Sequence, residues 1–189
     1  ADGSAVDGTD ALQLSAGEIE GRRQIREFTR FLRERVPGFE SSYVLDIAPQ
    51  LGIRETRRIA GEYALTAGDV LGCASFPDGI GVNAWPLERH VAGDVQWRWP
   101  PPEARGYNHL PYRMLLPRGV RNLLVAGRCA SMTSEAQSAA RVSGGCFVMG
   151  QAAGTAAHLA LAAGIAAREV STGALQAQLE RDGAWLGRE

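Results

Sequence analysis

Between Ser15 and Pro37, apolar residues recur at helical spacing: Ile19, Ile25, Phe28, Phe31 and Leu32. Residues three and four apart share one face of a helix, so the pattern predicts an amphipathic helix. Ser15 and Glu18 stand at capping-box spacing and set its expected start; Pro37-Gly38 sets its end. The fourteen residues before it, rich in Gly, Asp and Ser, read as coil. Further on the pattern turns to strands. Tyr43 to Ile47 is a short candidate, and Ile53, Glu55, Arg57, Ile59, Tyr63 and Leu65 fall on one face of an extended chain. "TAGD" (66–69) starts a short helix. "DGIGVNAWPLERHV" and "VQWRW" read as strands, Pro100-Pro101-Pro102 as a stiff break, "LPYRMLLP" as a short strand between prolines and "PRGV" as a turn. "NLLVAG" is a continuous apolar run, the mark of a buried strand. A polar loop and Ser143-Gly144-Gly145 lead into a helix from about Cys146 to Ala163. "STGALQAQLERDGAW" forms the last helix, with Gly183 at its stop.

Composition narrows the class. The 189 residues are 45% hydrophobic and 22% charged, with a formal net charge of -1. That describes a globular domain with no field to draw it to nucleic acid or anionic membrane. All 20 basic residues are arginine, which with the abundant Ala and Gly reads as compositional bias of the genome. The six arginines of the first helix (Arg22, Arg23, Arg26, Arg30, Arg33 and Arg35) read as a solvated face, since nearby acids balance several of them. Cys73, Cys129 and Cys146 show neither CxxC pairing nor a His at metal spacing, so neither a zinc site nor a disulfide framework is expected. The stretch 146–163 is interrupted by Gln151, Thr155 and His158 and reads as a buried core helix, not a membrane span. The opening "ADGSAVDGTD" lacks the basic and apolar regions of a secretory leader. A cytoplasmic location is the expectation, and a mature exported protein the alternative.

Three nucleotide and nucleophile signatures fail. Walker A needs a lysine, and there is none. Gly79-Ile80-Gly81-Val82-Asn83-Ala84 fits G-x-G-x-x-G/A, but Pro77 precedes it and Pro86 follows where a helix should run. Arg141 stands where a nucleophile elbow needs its first glycine. What remains is a strand ending in Ala126-Gly127-Arg128, followed by a glycine pair at a helix start. Unpaired N–H groups and the positive end of the helix dipole suit an anionic or planar ligand there. The plain alternative is a helix start with a small-residue packing face.

"GIRETRRIAGEYALT", "PYRMLLPRGVRNLLVAGRCAS" and "MGQAAGTAA", in this order, resemble the C-terminal half of FAD-dependent oxidoreductases of the glutathione-reductase type, over about Ala11 to Trp185. The resemblance implies an α/β fold with α+β character: substrate-side strands, then a returning strand and long helix that close on the flavin, without the N-terminal G-x-G-x-x-G unit. It divides the chain into a linker (1–14), a substrate-side region (15–115), a flavin-closing strand and helix (116–164) and a C-terminal helix (165–189). It implies FAD as cofactor and hydride transfer between a small organic substrate and flavin N5. It also implies a partner, either a domain or a subunit, that carries the ADP-binding half, and an apolar surface that favours self-association.

By the same resemblance Gly127, Arg128, Ser143, Gly144, Gly145 and Cys146 bind the cofactor. Arg54, Glu55 and Arg57 lie near the flavin ring, with a structural ion pair as the alternative for Glu55 and Arg57. His90 is a general base or a substrate holder, with a structural role equally open. Tyr112 and Arg113 stand beside it on the substrate side, Arg113 for a carboxylate. Two other classes stay open: a non-catalytic assembly module that keeps the fold, and a hydrolase using Ser143 or Cys146.

Overall fold

The computed structural model describes residues 6–91 and 94–187. The chain divides into two units, after Thr56.

The first unit is dominated by α1 (Ala11–Arg35). It starts earlier than Ser15 because Asp10 caps it: the Asp10 carboxylate accepts from the N–H of Leu12 at 2.9 Å and of Gln13 at 3.4 Å. Ser15 lies inside the helix and donates its hydroxyl to the Ala11 carbonyl at 2.8 Å. The Glu18 carboxylate accepts from the Leu51 N–H rather than closing a capping box. Val36 ends the helix, its N–H donating to the Leu32 carbonyl. No residue of α1 is buried, and Ile19 and Phe28 are 72% and 65% exposed. Its arginines do form a solvated face, with Arg23 paired to Glu20 and Glu27 and Arg22 to Glu18. The strand expected over 43–47 is exposed coil. An extended segment becomes a strand only beside another, and none among the described residues pairs with it.

The second unit has a core. Leu65, Ile80, Leu110, Met114, Leu115, Met149, Leu175 and Leu179 are all buried. Around them run α2 (Ala67–Leu71), β1 (Gly79–Asn83), β2 (Leu87–Val91), β3 (Asp94–Arg98), β4 (Asn108–Pro111), α3 (Ser134–Ala140), α4 (Ser143–Ala163) and α5 (Thr172–Arg181). β1 pairs antiparallel with β4, with Val82 opposite His109, and β2 pairs with β3 as a hairpin. The mixed class holds, and the sheets among the described residues are small and antiparallel. α2 carries the expected cap: the Thr66 hydroxyl accepts from the Asp69 N–H, and Asp69 accepts from the Thr66 N–H. α4 lays Met149, Ala152 and Ala156 into the core and packs on β1 and α5, with Val148 over Gly81. Gly79 to Asn83 is thus strand throughout, so the glycine-rich motif is not a strand–turn–helix phosphate loop.

Five expectations change. α4 is not buried all round: Phe147, Gly150, Gly154 and Leu161 form an exposed side. By length and composition it could cross a membrane, but one face packs in the unit's core. "LPYRMLLP" splits, because β4 stops at Pro111 and Tyr112–Leu115 turns into a 3-10 helix. Asp78 draws the chain round: its carbonyl accepts from the Tyr112 N–H at 2.8 Å and its carboxylate from the Arg113 N–H at 3.1 Å. "NLLVAG" is extended but unladdered; the Val125 N–H donates to the Leu115 carbonyl, and no strand among the described residues runs beside it. The alternating run to Leu65 makes only isolated bridges, Gly61 to Pro117 and Leu65 to Met132. In the expected polar loop before α4 stands α3, capped by the Thr133 hydroxyl.

Candidate functional site

Backbone hydrogen bonds clamp two distant blocks together. The Ile59 N–H donates to the Cys129 carbonyl at 2.9 Å, Leu65 to Ser131 at 3.1 Å, and Thr133 to Leu65 at 2.8 Å. The Gly61 N–H reaches the Ser131 hydroxyl at 3.0 Å. "RRIAGEYAL" therefore holds "GRCASM" in place. Within that block Gly127 turns the chain at φ +84°, its carbonyl accepting from the Ala130 N–H at 3.0 Å. The Gln137 side chain, one turn into α3, donates to the Arg128 carbonyl at 3.2 Å. A Cβ at Gly127 would lie 3.9 Å from the Cys146 sulfur, so the start of α4 sits beside this turn.

That helix start is bare. Its N-cap, Val142, offers no side-chain acceptor. The amides of Ser143, Gly144 and Gly145 fall in the first turn, where helix geometry supplies no partner. The Cys146 N–H does not belong with them: it donates to the Val142 carbonyl at 3.0 Å. The two glycines have separate tasks. A Cβ at Gly145 would come within 2.5 Å of the Ala140 carbonyl oxygen, so only glycine lets α3 turn directly into α4. Gly144 is exposed, and a Cβ there would meet nothing within 4 Å. The open side thus presents uncapped N–H groups, the positive end of a 21-residue helix dipole and the small residues Ser143 and Gly144, with exposed Arg128 on the adjoining turn. An anionic edge of a flat ligand fits this geometry.

The Cys146 thiol does not suit a nucleophile. Cys146 donates its S–H to the Arg141 carbonyl at 3.2 Å, and burial, followed by the neighbouring Cys129, pushes it above the ordinary thiol range. A hydrolase needs the opposite shift.

The expected substrate-side residues each have their own local setting. Tyr112 is buried in the core and donates its hydroxyl to the Ala167 carbonyl at 2.8 Å; burial pushes it up to about 12. Arg113 grips Asp78 through Nε at 2.8 Å and Nη2 at 3.1 Å, over the ring of Tyr63. Its fork is filled by an internal carboxylate rather than open to a substrate's. Arg57, at the start of the second unit, is exposed, so no burial there calls for an ionic partner. Arg54, exposed, and Glu55, half-buried, belong to the first unit. His90 is on β2, paired with Glu88.

The structure also shows residues that sequence reading missed. An open depression of about 360 Å³ beside the clamp is lined by Arg58, Gly61, Arg118 and Ser131. Arg58 and Arg118 are far apart in sequence, and no local pattern links them. Gln137 was hidden with α3, although Thr133-Ser134-Glu135 is a legible helix start.

A family model described as FAD dependent oxidoreductase matches residues 2–179. No curated protein and no solved structure matches the chain.

Proposed function

From the premise that this chain belongs to the FAD-dependent oxidoreductase family, which binds FAD, we propose that it forms the flavin-closing and substrate-side part of a flavin oxidoreductase that moves hydride between a small organic substrate and flavin N5. The flavin, when bound, supplies the two-electron acceptor. The chain's part is electrostatic and positional. With FAD bound, the amides of Ser143, Gly144 and Gly145 and the dipole of α4 would stabilise negative charge on the reduced flavin. Gly127 would permit close approach, and Arg128 would hold a ribityl or phosphate oxygen. His90, oriented by Glu88, takes the substrate proton as the hydride leaves. Arg57 is the proposed substrate-side arginine of the second unit.

The ADP portion of the cofactor falls to a separate unit, within a longer polypeptide or on a partner subunit. The unladdered "NLLVAG" segment supports this reading, since a strand without a neighbour gains its ladder when one docks.

The observation that carries the proposal is the uncapped start of α4, open at Gly144, beside the Gly127 turn. Its test is the flavin reduction potential in the reconstituted protein. Gly144→Asp puts a carboxylate where a helix start tolerates it and the reduced flavin does not. The expected result is a potential lower by about 30 mV, the two-electron equivalent of about 1.4 kcal/mol. An unchanged potential with FAD bound would remove α4 from that role.

A further inference from the structure

Three of the four tryptophans in the chain gather at the β2–β3 hairpin. Trp85 meets Trp97 edge to face at 5.9 Å, and Trp97 stacks on Trp99 at 6.5 Å. Despite these contacts they remain 43%, 45% and 65% exposed. Indoles in mutual contact yet open to water form an apolar patch that calls for an occupant.

The register says what else shares that patch. Glu88 stands opposite Trp97 and His90 opposite Val95. Alternation therefore puts Glu88, His90, Val95 and Trp97 on one side of the ribbon, and Trp99 follows on the same side. Glu88 and His90 pair with each other. The hairpin's cations lie on the other side: Arg98 opposite Leu87, and Arg89 opposite Gln96. The tryptophan side thus carries one carboxylate, one imidazole and no arginine. A polyphosphate or an anionic membrane needs the reverse.

We infer that this side of the hairpin is a stacking site for the ring of a neutral, polyhydroxylated ligand, that is, a sugar residue of an oligosaccharide. The C–H face of a pyranose packs on an indole while its hydroxyls reach the rim. Here His90 stands at the rim, its side chain 42% exposed, with the largely covered Glu88 paired to it. An apolar floor with a few placed polar groups is the usual build of a small-molecule site. The hairpin is fixed at its root, where Leu87 is buried and the Glu88 N–H donates to the Ser138 hydroxyl of α3 at 2.9 Å. α3 runs on directly to the Gly145 turn. The binding site stands on the hairpin alone; identifying its sugar as the electron donor rests on the flavin reading above. In that case a C–H hydride goes to the flavin, the O–H proton goes to His90, and the alcohol carbon becomes a carbonyl.

The test is tryptophan emission of the intact, flavin-free chain, titrated with cellohexaose, xylohexaose and mannohexaose at up to millimolar concentration. At least one should bind. Trp97→Ala and Trp99→Ala should each weaken it by about tenfold or more, the scale of one lost stacking contact, while Trp185→Phe leaves it unchanged. Trp99→Ala should melt like the parent, because Trp99 is 65% exposed, and Trp97→Ala should melt close to it, because it loses only contacts within the patch. The inference is overturned if none of the three hexaoses binds, or if Trp97→Ala binds as the parent does. It is equally overturned if Trp97 is needed instead for binding oligo(dT) or phosphatidylglycerol vesicles, or for self-association in sedimentation. Hexaose binding with an unmoved flavin potential in Gly144→Asp would keep this site and dismiss the flavin geometry; the opposite pair of results would do the reverse.

Discussion

α1 and α4 are the two long helices, of 25 and 21 residues, and they satisfy their apolar residues differently. α1 has a clear apolar rhythm and no buried residue. α4 is apolar almost all round, and still one face, through Gly145, Met149, Ala152, Ala156 and Ala160, is buried within its unit. The difference teaches that periodicity reports a helix with a side meant for something. It does not say that the something lies in the same unit. α1 stands on local terms: its Asp10 cap and its exposed, solvent-screened ion pairs. α4 stands on tertiary packing, so the two should answer mutation differently.

The largest contrast comes from single substitutions in each. Gly145→Val drives a side chain into the Ala140 carbonyl, and the α3–α4 turn must open to admit it. A loss of about 3 kcal/mol or more is expected for the second unit. Phe28→Ser on α1 removes a side chain that is already 65% exposed, and surface changes of that kind stay within about 0.5 kcal/mol. Urea unfolding of the two variants, followed by circular dichroism, checks the pair. Equal losses would mean that the Phe28 side of α1 is covered in the protein as it exists in solution.

Next in size is the ion pair that bends the chain after β4. Asp78 is buried and accepts three hydrogen bonds from Arg113, one of them from its backbone. Asp78→Ala leaves a guanidinium and an N–H without their acceptor. The Arg113 side chain is 43% exposed and regains some water, which trims the expected cost to about 2–3 kcal/mol. If the pair is structural, Arg113→Ala should cost stability in the same melt. If the side chain instead serves a substrate, it should cost only affinity.

Much of the second unit was legible beforehand, because its elements carry their own punctuation. Thr66 and Asp69 announce α2, the Gly164 and Gly183 stops close α4 and α5, and alternation around "VNAWPLERHV" marks β1 and β2. What failed were strands. "NLLVAG" and the run to Leu65 have strand composition, but a strand is a relation between segments, and composition shows only one side of it. The start of α1 was misjudged because two capping signals compete within six residues, and Asp10 outbids Ser15 by reaching two amides. At the site, the glycine pair pointed to the open helix start. The filled fork of Arg113 and the buried hydroxyl of Tyr112 could not be seen, since Asp78 and Ala167 lie 35 and 55 residues away from them.

The smallest expected effect uses the chain's lack of lysine. Between about pH 9 and pH 12 an ordinary protein titrates its lysines, whereas here only tyrosines and cysteines change charge, the arginines staying protonated. Tyr112 is pushed up to about 12 by burial and secondarily by Glu62. Tyr63 is also raised to about 12, by burial and then by its hydrogen bond to Asp69. In the unfolded chain both ionise near 10. Below pH 10 they are protonated in both states, and their contribution to stability is fully present. As pH rises from 10 toward 12 the unfolded chain releases protons that the folded one retains, so stability falls through that window. Tyr112→Phe loses the hydrogen bond to Ala167, about 1 kcal/mol at neutral pH, yet its stability should fall less steeply above pH 10 than the parent's. Urea midpoints across the window read both effects. Parallel curves would mean that the Tyr112 hydroxyl reaches water in solution and that the second unit is looser around α4 than its buried residues imply, which would narrow the contrast with α1.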